Sequence, residues 1–226
     1  MERPRTRRLF FTGTDTDVGK TYVAALAASE LLHLGLNVAV YKPVASGCTP
    51  AADGSNQRTS GDAMRLWEAS GCRGNLNNVC PQRFLAPLAP QAAAMAEGRS
   101  VDETLLIDGL DAVIDQADIA VIEGAGGLLS PLSQALLNSD VAAKLDAELI
   151  IVAANRLGVI HQVLATVLAA KALRLPVLGI VLNCITKDAD ASVLSNASTI
   201  TSFTKIPILA EVKFGDLRTG IDWSAL

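Results

Sequence analysis

The chain has 226 residues, and 50% of them are hydrophobic, which is enough to bury the core of one α/β domain of ordinary size. The formal net charge is −4 and the one basic cluster lies at the start of the chain, so neither nucleic acid nor an anionic membrane is indicated as a partner. Four cysteines without a CxxC pair, and only two histidines, argue against a zinc site and favour a reducing cytoplasm.

Apolar runs and helical patterns alternate along the chain. The runs predict six strands, at Leu9–Thr12, Val38–Tyr41, Ile119–Glu123, Leu149–Ala153, Val177–Leu182 and Ile206–Leu209. The segments between them predict helices at Thr21–Leu34, Ala63–Ser70, Glu103–Gln116, Val159–Leu173 and Ser192–Thr201. Because the runs are nearly continuous rather than alternating, the strands are expected to be covered on both faces. The expected fold is α/β, with a doubly wound, mostly parallel sheet flanked by helices.

We expect a single domain over residues 1–226, with residues 1–7 as a disordered leader. The segment Ser46–Gly61 is polar and rich in small residues, and it is expected to be a mobile loop near the site. The longest charge-free helical stretch, Leu157–Ala170, is too short to cross a bilayer. Residues 1–8 have no apolar core behind their charges, so no signal peptide is predicted and a cytoplasmic location is expected.

The segment Phe10–Tyr22, FFTGTDTDVGKTY, carries the strongest functional signal. An apolar run, a glycine turn and Gly-Lys-Thr at the start of a helix form the arrangement that binds polyphosphates. Backbone N–H groups face the phosphates, Lys20 reaches the β- and γ-oxygens, and the Thr21 hydroxyl ligates Mg²⁺. Five residues rather than the usual four separate Gly13 from the Gly-Lys pair. The pattern predicts a nucleoside triphosphate site and a fold like that of P-loop NTPases.

Two further clusters follow predicted strands at the same edge of the sheet. In YKPVASG, Lys42 is placed to bring a positive charge to the phosphates and Ser46 offers a hydroxyl. A surface lysine in a turn is the alternative interpretation. In IEGAGG, Glu123 ends an apolar strand, where an acid commonly ligates or orients Mg²⁺. The glycines after it allow close approach of the backbone to a ligand.

Two other polar residues leave alternatives open. Asp62 lies at the start of a helix, where it either caps the helix or adds a second carboxylate for the metal. Asn183 follows the strand Val177–Leu182, and its amide either pairs with an adenine edge or caps a turn.

Together, GTDTDVGKT, YKPVASG, the acid of SGD, IEGAGG and LNCI resemble the dethiobiotin synthetases, from the first strand to about residue 210. The resemblance implies a homodimeric, ATP-dependent cyclo-ligase with Mg²⁺ as cofactor. Such an enzyme carboxylates one amine of 7,8-diaminononanoate with CO₂ and phosphorylates the carbamate. It then closes the cyclic urea to give dethiobiotin, ADP and phosphate.

The resemblance also assigns residues to roles. The residues implied to contact the carbamate and the transferred phosphoryl group are Thr16, Lys20, Lys42 and Ser46. Those implied to bind the nucleotide are Asp17, Val18, Gly19, Lys20, Thr21, Tyr22, Asp62, Glu123, Gly124, Ala125, Gly126 and, at the adenine, Asn183. The implied Mg²⁺ ligands are Thr21, Asp62 and Glu123.

The chain departs from the family pattern at three places. Asp17 stands where glutamate is frequent, Gln91 where histidine is expected, and Ala210–Leu217 replaces a Pro-aromatic-Leu stretch that helps hold the base.

Rival functions fit less well. A GTPase would carry Asn-Lys-x-Asp, a partitioning ATPase a second lysine within residues 14–18, and a small-molecule kinase an arginine-rich lid. A regulatory domain that binds nucleotide without turnover would have lost Lys42.

Overall fold

The computed structural model of the protein describes residues 5–51, 57–188 and 190–226. The strands in these ranges are β1 (Arg7–Gly13), β2 (Val38–Tyr41), β3 (Val44–Ala45), β4 (Thr49–Pro50), β5 (Arg58–Thr59), β6 (Gln82–Arg83), β7 (Ile119–Gly127), β8 (Glu148–Ala154), β9 (Val177–Asn183) and β10 (Ile208–Val212). The α-helices are α1 (Lys20–His33), α2 (Gly61–Ala69), α3 (Leu76–Val79), α4 (Pro90–Ala96), α5 (Glu103–Ile107), α6 (Asn138–Lys144), α7 (Val159–Ala172) and α8 (Val193–Phe203). A 3₁₀ helix, Asp108–Ala112, follows α5.

Six strands form a fully parallel sheet in the order β10-β9-β8-β1-β7-β2. From β1 the chain adds β2 and β7 on one side and then β8, β9 and β10 on the other, so the sheet is doubly wound. Leu9 and Phe11 pack on the face covered by α1, α2 and α3, whereas Phe10 packs on the opposite face against α4 to α6. Helices α7 and α8 cover the rest of that second face. The predicted fold class is confirmed.

The predicted helix Glu103–Gln116 is wrong beyond its first turns, because α5 ends at Ile107 and a 3₁₀ helix follows. The Tyr41 hydroxyl donates a hydrogen bond to the carbonyl of Leu105. In a continuous α-helix that carbonyl would accept from the N–H of Gly109. A Cβ at Gly109 would lie 2.3 Å from the Tyr41 oxygen, so glycine lets the tyrosine approach and interrupt the helix.

Other differences concern short elements and strand ends. The short helices α3, α4 and α6 were not predicted, because each is too brief to show a helical period in the sequence. The last strand was predicted at Ile206–Leu209 but runs over Ile208–Val212. Pro207 has no N–H to donate to the sheet, and it stands just before the first residue of the strand.

The prediction of a disordered leader over residues 1–7 is wrong at the C-terminal end of that range. Arg7 is the first residue of β1, and its Nε donates to Glu148 at 2.7 Å. Arg5 also forms an ion pair, so two of the initial arginines are structural. Residues 1–4 lie outside the described residues.

The structure describes the expected mobile loop, Ser46–Gly61, except for residues 52–56. The part of the expectation that concerns residues 52–56 lies outside the described residues. Strands β4 and β5 pair in antiparallel fashion within it, with Thr49 opposite Thr59. Among the described residues, no helix has both the length and the apolar character needed to span a membrane.

The glycine-rich end of β7 is held by Asn138, the first residue of α6, which is fully buried. Its amide nitrogen donates to the carbonyls of Ala125 (2.7 Å) and Gly127 (2.8 Å), and its Oδ1 accepts from the Ala125 N–H at 3.1 Å. A Cβ at Gly124 would lie 2.3 Å from that oxygen. One buried amide therefore fixes the backbone that follows Glu123.

We expect Asn138→Ala to lower the free energy of unfolding by about 2–4 kcal/mol, because several buried backbone groups lose their only side-chain partner. Urea unfolding followed by circular dichroism measures the change. Gln134→Ala, at an exposed amide of the same connection, is the matched control and should change the stability by less than about 0.5 kcal/mol. Equal effects of the two substitutions would contradict the assigned role of Asn138.

Candidate active site

A cleft of about 740 Å³ opens at the carboxyl ends of β1, β2 and β7. Most of the residues predicted from the sequence to form the site line it. They are Thr16, Asp17, Gly19, Lys20, Thr21, Tyr22, Lys42, Ser46, Asp62, Glu123, Gly124, Ala125 and Gly126. Val18 and Asn183 are buried behind this surface. Because all six strands are parallel, their carboxyl ends meet at one edge, and residues distant in sequence converge there.

The loop after β1 is shaped by backbone conformations that few residues adopt. Gly19 has φ 86° and precedes α1, and Asp17 has φ 57°, which aspartate tolerates better than most residues. No side chain of the described residues caps the helix, so its first N–H groups face the cleft. These N–H groups and the positive end of the helix dipole provide an anion-binding surface.

Lys20 is folded back over this loop. Its Nζ donates to the Asp15 carbonyl at 2.9 Å, and only 8% of the residue is exposed. A Cβ at Gly13 would lie 2.5 Å from that carbonyl oxygen and 2.9 Å from the Lys20 Nζ, so glycine is required there. Burial lowers the pKa of Lys20, and the nearby Glu123 carboxylate only partly opposes this effect.

Four side chains meet at the base of the cleft. Glu123 Oε1 accepts from the Thr21 hydroxyl at 2.7 Å and from Lys42 Nζ at 2.7 Å. Lys42 also lies 3.0 Å from an Asp62 carboxylate oxygen. The Lys42 and Glu123 side chains are 4% and 1% exposed, whereas that of Asp62 is half-exposed. Lys42 is thus a buried site residue and not a surface lysine in a turn.

The charged groups in this cluster shift one another's pKa values. Burial alone would lower the pKa of Lys42, but the Glu123 and Asp62 carboxylates outweigh it, so the pKa is raised. Burial would raise the pKa of Asp62, but the Lys42 ammonium outweighs it and lowers the pKa. Both groups are therefore charged at neutral pH. Ser60, not Asp62, caps α2, through a hydrogen bond from the Ala63 N–H.

The donor set of this cluster suits Mg²⁺. Thr21, Asp62 and Glu123 offer a hydroxyl and two carboxylates, the oxygen ligands that Mg²⁺ prefers when phosphates and waters complete its shell. Glu123 Oε2 is buried and has no hydrogen-bond partner among the described residues. Within the same residues, no three His, Cys, Asp or Glu side chains gather at a metal site.

Asn183 supports the phosphate loop from beneath. Its Nδ2 donates to the Val18 carbonyl at 3.0 Å and would lie 2.1 Å from a Cβ at Gly19. Its Oδ1 is buried without a partner among the described residues. The sequence suggested an adenine contact or a turn cap, and this contact with the loop was not foreseen.

Sequence reasoning missed several residues of the cleft, namely Arg65, Ser130, Pro131 and the segment Pro87–Pro90. Ser130 Oγ accepts from the Gly127 N–H at 2.9 Å, which closes the turn after β7. The proline-rich segment carries no chemical group that would single it out. Arg65 had a detectable signal, because it lies one helical turn after Asp62 and therefore shares its face of α2.

Comparison with known sequences gives consistent results. A family model described as an AAA domain matches residues 7–218. The ATP-dependent dethiobiotin synthetase BioD of Rhodopirellula baltica is 45% identical over 214 residues, which cover 90% of this chain and 83% of that protein. The proteins of the same name from Anaeromyxobacter dehalogenans and Bacillus cereus are 41% and 35% identical. They match 88% and 91% of this chain, and 86% and 82% of their own lengths.

Solved structures share the fold at low identity. The signal recognition particle receptor FtsY of Elizabethkingia anophelis in complex with GDP aligns with a TM-score of 0.56 at 14% identity, over 97% of this chain and 60% of that chain. FtsY of Thermotoga maritima aligns with a TM-score of 0.53 at 15% identity, over 97% and 65%. These likenesses concern the P-loop fold alone. The sequence relatives, which match most of their own length, show that the chain belongs to the dethiobiotin synthetase family.

Proposed function

We propose that this protein is an ATP-dependent dethiobiotin synthetase, a ligase that forms the two carbon–nitrogen bonds of a cyclic urea. The observation that carries the proposal is the contact of Lys42 with Glu123 and Asp62 beside the phosphate loop. It supports the proposal because a buried cation and two carboxylates lie beside the loop that would hold the triphosphate. The sequence relatives are dethiobiotin synthetases, which supports the same activity.

The proposed reaction has three steps. One amine of 7,8-diaminononanoate attacks CO₂ and loses a proton, which gives a carbamate. A carbamate oxygen then attacks the γ-phosphorus of ATP, and ADP leaves. The second amine attacks the carbonyl carbon of the mixed anhydride, phosphate leaves, and the cyclic urea closes.

The difficulty of the second step is electrostatic, because an anionic carbamate approaches an anionic phosphate. Lys20 and Lys42 supply fixed positive charge, and the N–H groups of Asp17 to Tyr22 stabilise the phosphate oxygens. When bound, Mg²⁺ would supply further charge and would be held by Thr21, Asp62 and Glu123. Both lysines are held in place by existing hydrogen bonds, so little reorganisation is needed when charge develops.

The remaining residues have positioning roles in this proposal. Thr16 and Ser46 line the cleft, and their hydroxyls would bind the transferred phosphoryl group and the carbamate. The backbone of Gly124, Ala125 and Gly126 forms the wall after Glu123, where small residues let a substrate approach. Asn183 contributes its buried Oδ1 as an acceptor toward the base.

We also propose that the protein acts as a cytoplasmic homodimer. The outer surface of α7 and its flanks exposes large apolar side chains, with Leu157 82% and Leu168 67% exposed. Exposed apolar side chains on one helix and its flanks would suit a protein interface. The partners that remain are small molecules, namely ATP, CO₂ and the diamine.

The experiment that tests the function is ADP release by the purified protein with Mg-ATP, with and without 7,8-diaminononanoate and bicarbonate. We expect release only when both are present, with dethiobiotin formed in equal amount, and no release with EDTA. Tight ATP binding without release would instead indicate a regulatory domain. Hydrolysis without the diamine would indicate a nucleotide switch.

Lys42→Ala should lower kcat by about 10²–10³, because a positive charge aimed at the transferred phosphoryl group is lost. The Kd for ADP, measured by calorimetry, should change little. Loss of the cation also leaves buried Glu123 unpaired, which would cost about 3–5 kcal/mol of stability. Lys42→Gln, which keeps a donor to Glu123, separates these effects. Loss of ATP affinity with kcat preserved at saturation would contradict the assigned role.

Asp62→Asn should raise the Mg²⁺ concentration needed for half-maximal activity, because one anionic ligand becomes a neutral amide. Glu68→Gln, at an exposed carboxylate of the same helix, should leave the Mg²⁺ titration unchanged. An unchanged titration in Asp62→Asn would show that Asp62 serves only to hold Lys42.

A further inference from the structure

The order of the strands gives the nucleotide cleft two distinct ends. The end beside β7 and β2 holds Glu123 and Lys42, where the phosphoryl group would be transferred. The first turn of α1 is bounded on its other side by residues that follow β9 and β10. A Cβ at Gly19 would lie 3.8 Å from the side chain of Ile185. In the proposed use of ATP, the base of a nucleotide whose phosphates occupy the loop would lie on this side, toward β9 and β10.

A turn after β10 closes this second end. The Lys213 N–H donates to Asp216 Oδ2 at 2.7 Å, and the Asp216 N–H donates to the Lys213 carbonyl at 3.1 Å. The Asp216 carbonyl accepts from the hydroxyl of Tyr22, which lines the cleft. The turn is thus in direct contact with a wall of the nucleotide cleft.

The chain beyond this turn, residues 217–226, contains no helix or strand, so its position depends on other contacts. One group of these contacts is with Glu30 of α1. The Glu30 carboxylate accepts hydrogen bonds from the Thr219 N–H (2.7 Å), the Thr219 hydroxyl, the Gly220 N–H (3.4 Å) and the Trp223 indole N–H (2.8 Å). Thr219 is only 4% exposed and Ile221 only 8%. A single carboxylate therefore collects four donors from the C-terminal segment.

Glu30 and the phosphate-binding residues belong to the same helix. Ten residues separate Lys20 from Glu30, which corresponds to about 15 Å along the helix axis. Glu30 is thus too distant to touch the phosphates. Glu30 instead attaches the C-terminal segment to α1, the helix that carries Lys20. Through that segment it also holds the turn that contacts Tyr22.

We propose that Glu30 is a positioning residue that holds the Lys213–Asp216 turn at the base end of the cleft and thereby sets affinity for the nucleoside part of the nucleotide. The inference rests on the proposed use of ATP. Loss of the carboxylate removes four hydrogen bonds that hold the C-terminal segment, and the turn is then positioned less firmly. Binding of the phosphates, which depends on the N-terminal end of α1, stays the same.

The test compares the Kd of ATP with that of inorganic tripolyphosphate by calorimetry, for the wild type and for Glu30→Gln. We expect the ATP Kd to rise about tenfold, because a neutral amide holds the four donors less strongly than the carboxylate does, while the tripolyphosphate Kd is unchanged. In steady-state assays the KM for ATP should rise and kcat at saturation should not. Glu68→Gln is the control and should change neither ligand.

Thr219→Val is a second variant that removes one donor and leaves Glu30 intact. It should also raise the ATP Kd. In the double variant with Glu30→Gln, the binding free energy of ATP should change by less than the sum of the two single changes. An unchanged ratio of the two Kd values in both variants, even with a lower Tm, would overturn the proposal and leave Glu30 with a purely structural role. These binding measurements need neither the diamine nor turnover, so failure of the proposed ligase activity would be seen separately.

Discussion

The contact between Lys42 and Glu123 is the interaction on which the site depends. A buried carboxylate that directly follows the apolar residues of β7 is costly unless a cation accompanies it, and Lys42 supplies that cation at 2.7 Å. The same carboxylate oxygen accepts from Thr21, so the lysine, the acid and the first turn of α1 are joined in one network. A cluster with balanced charge is thus present before any ligand binds, and an incoming metal and triphosphate would meet groups already in place.

The network also explains why the surrounding backbone is so constrained. Gly13 lets Lys20 fold back, Gly19 makes room for Asn183, and Gly124 lies against Asn138. Each of these glycines is required by a particular polar side chain rather than by a turn alone. A small change in the size of either residue in such a contact would move the charged groups, because the tightly packed interior transmits the displacement.

The sequence predicted the parts of the protein whose signals are local. Continuous apolar runs identified all six strands of the main sheet, and Gly-Lys-Thr at a helix start identified the phosphate loop. The rule that parallel strands present ligand-binding residues at one edge predicted Lys42 and Glu123 beside the phosphate loop, whereas for Asp62 the sequence left a helix cap and a metal ligand as alternatives. What could not be predicted depends on contacts between distant segments. The break after α5 requires Tyr41, and the support of Gly19 requires Asn183, and neither pair shows a sequence pattern.

The position of β1 has a consequence for how the chain folds. This central strand pairs with β7 and β8, both of which come from the second half of the sequence. During synthesis its apolar residues Leu9, Phe10 and Phe11 must wait for those partners to emerge. Strands paired over such separations close late and slowly, because the entropy of a long loop is lost before the contacts form. The segment with the strongest functional signal therefore reaches its final conformation among the last, and its apolar residues are exposed to self-association until then.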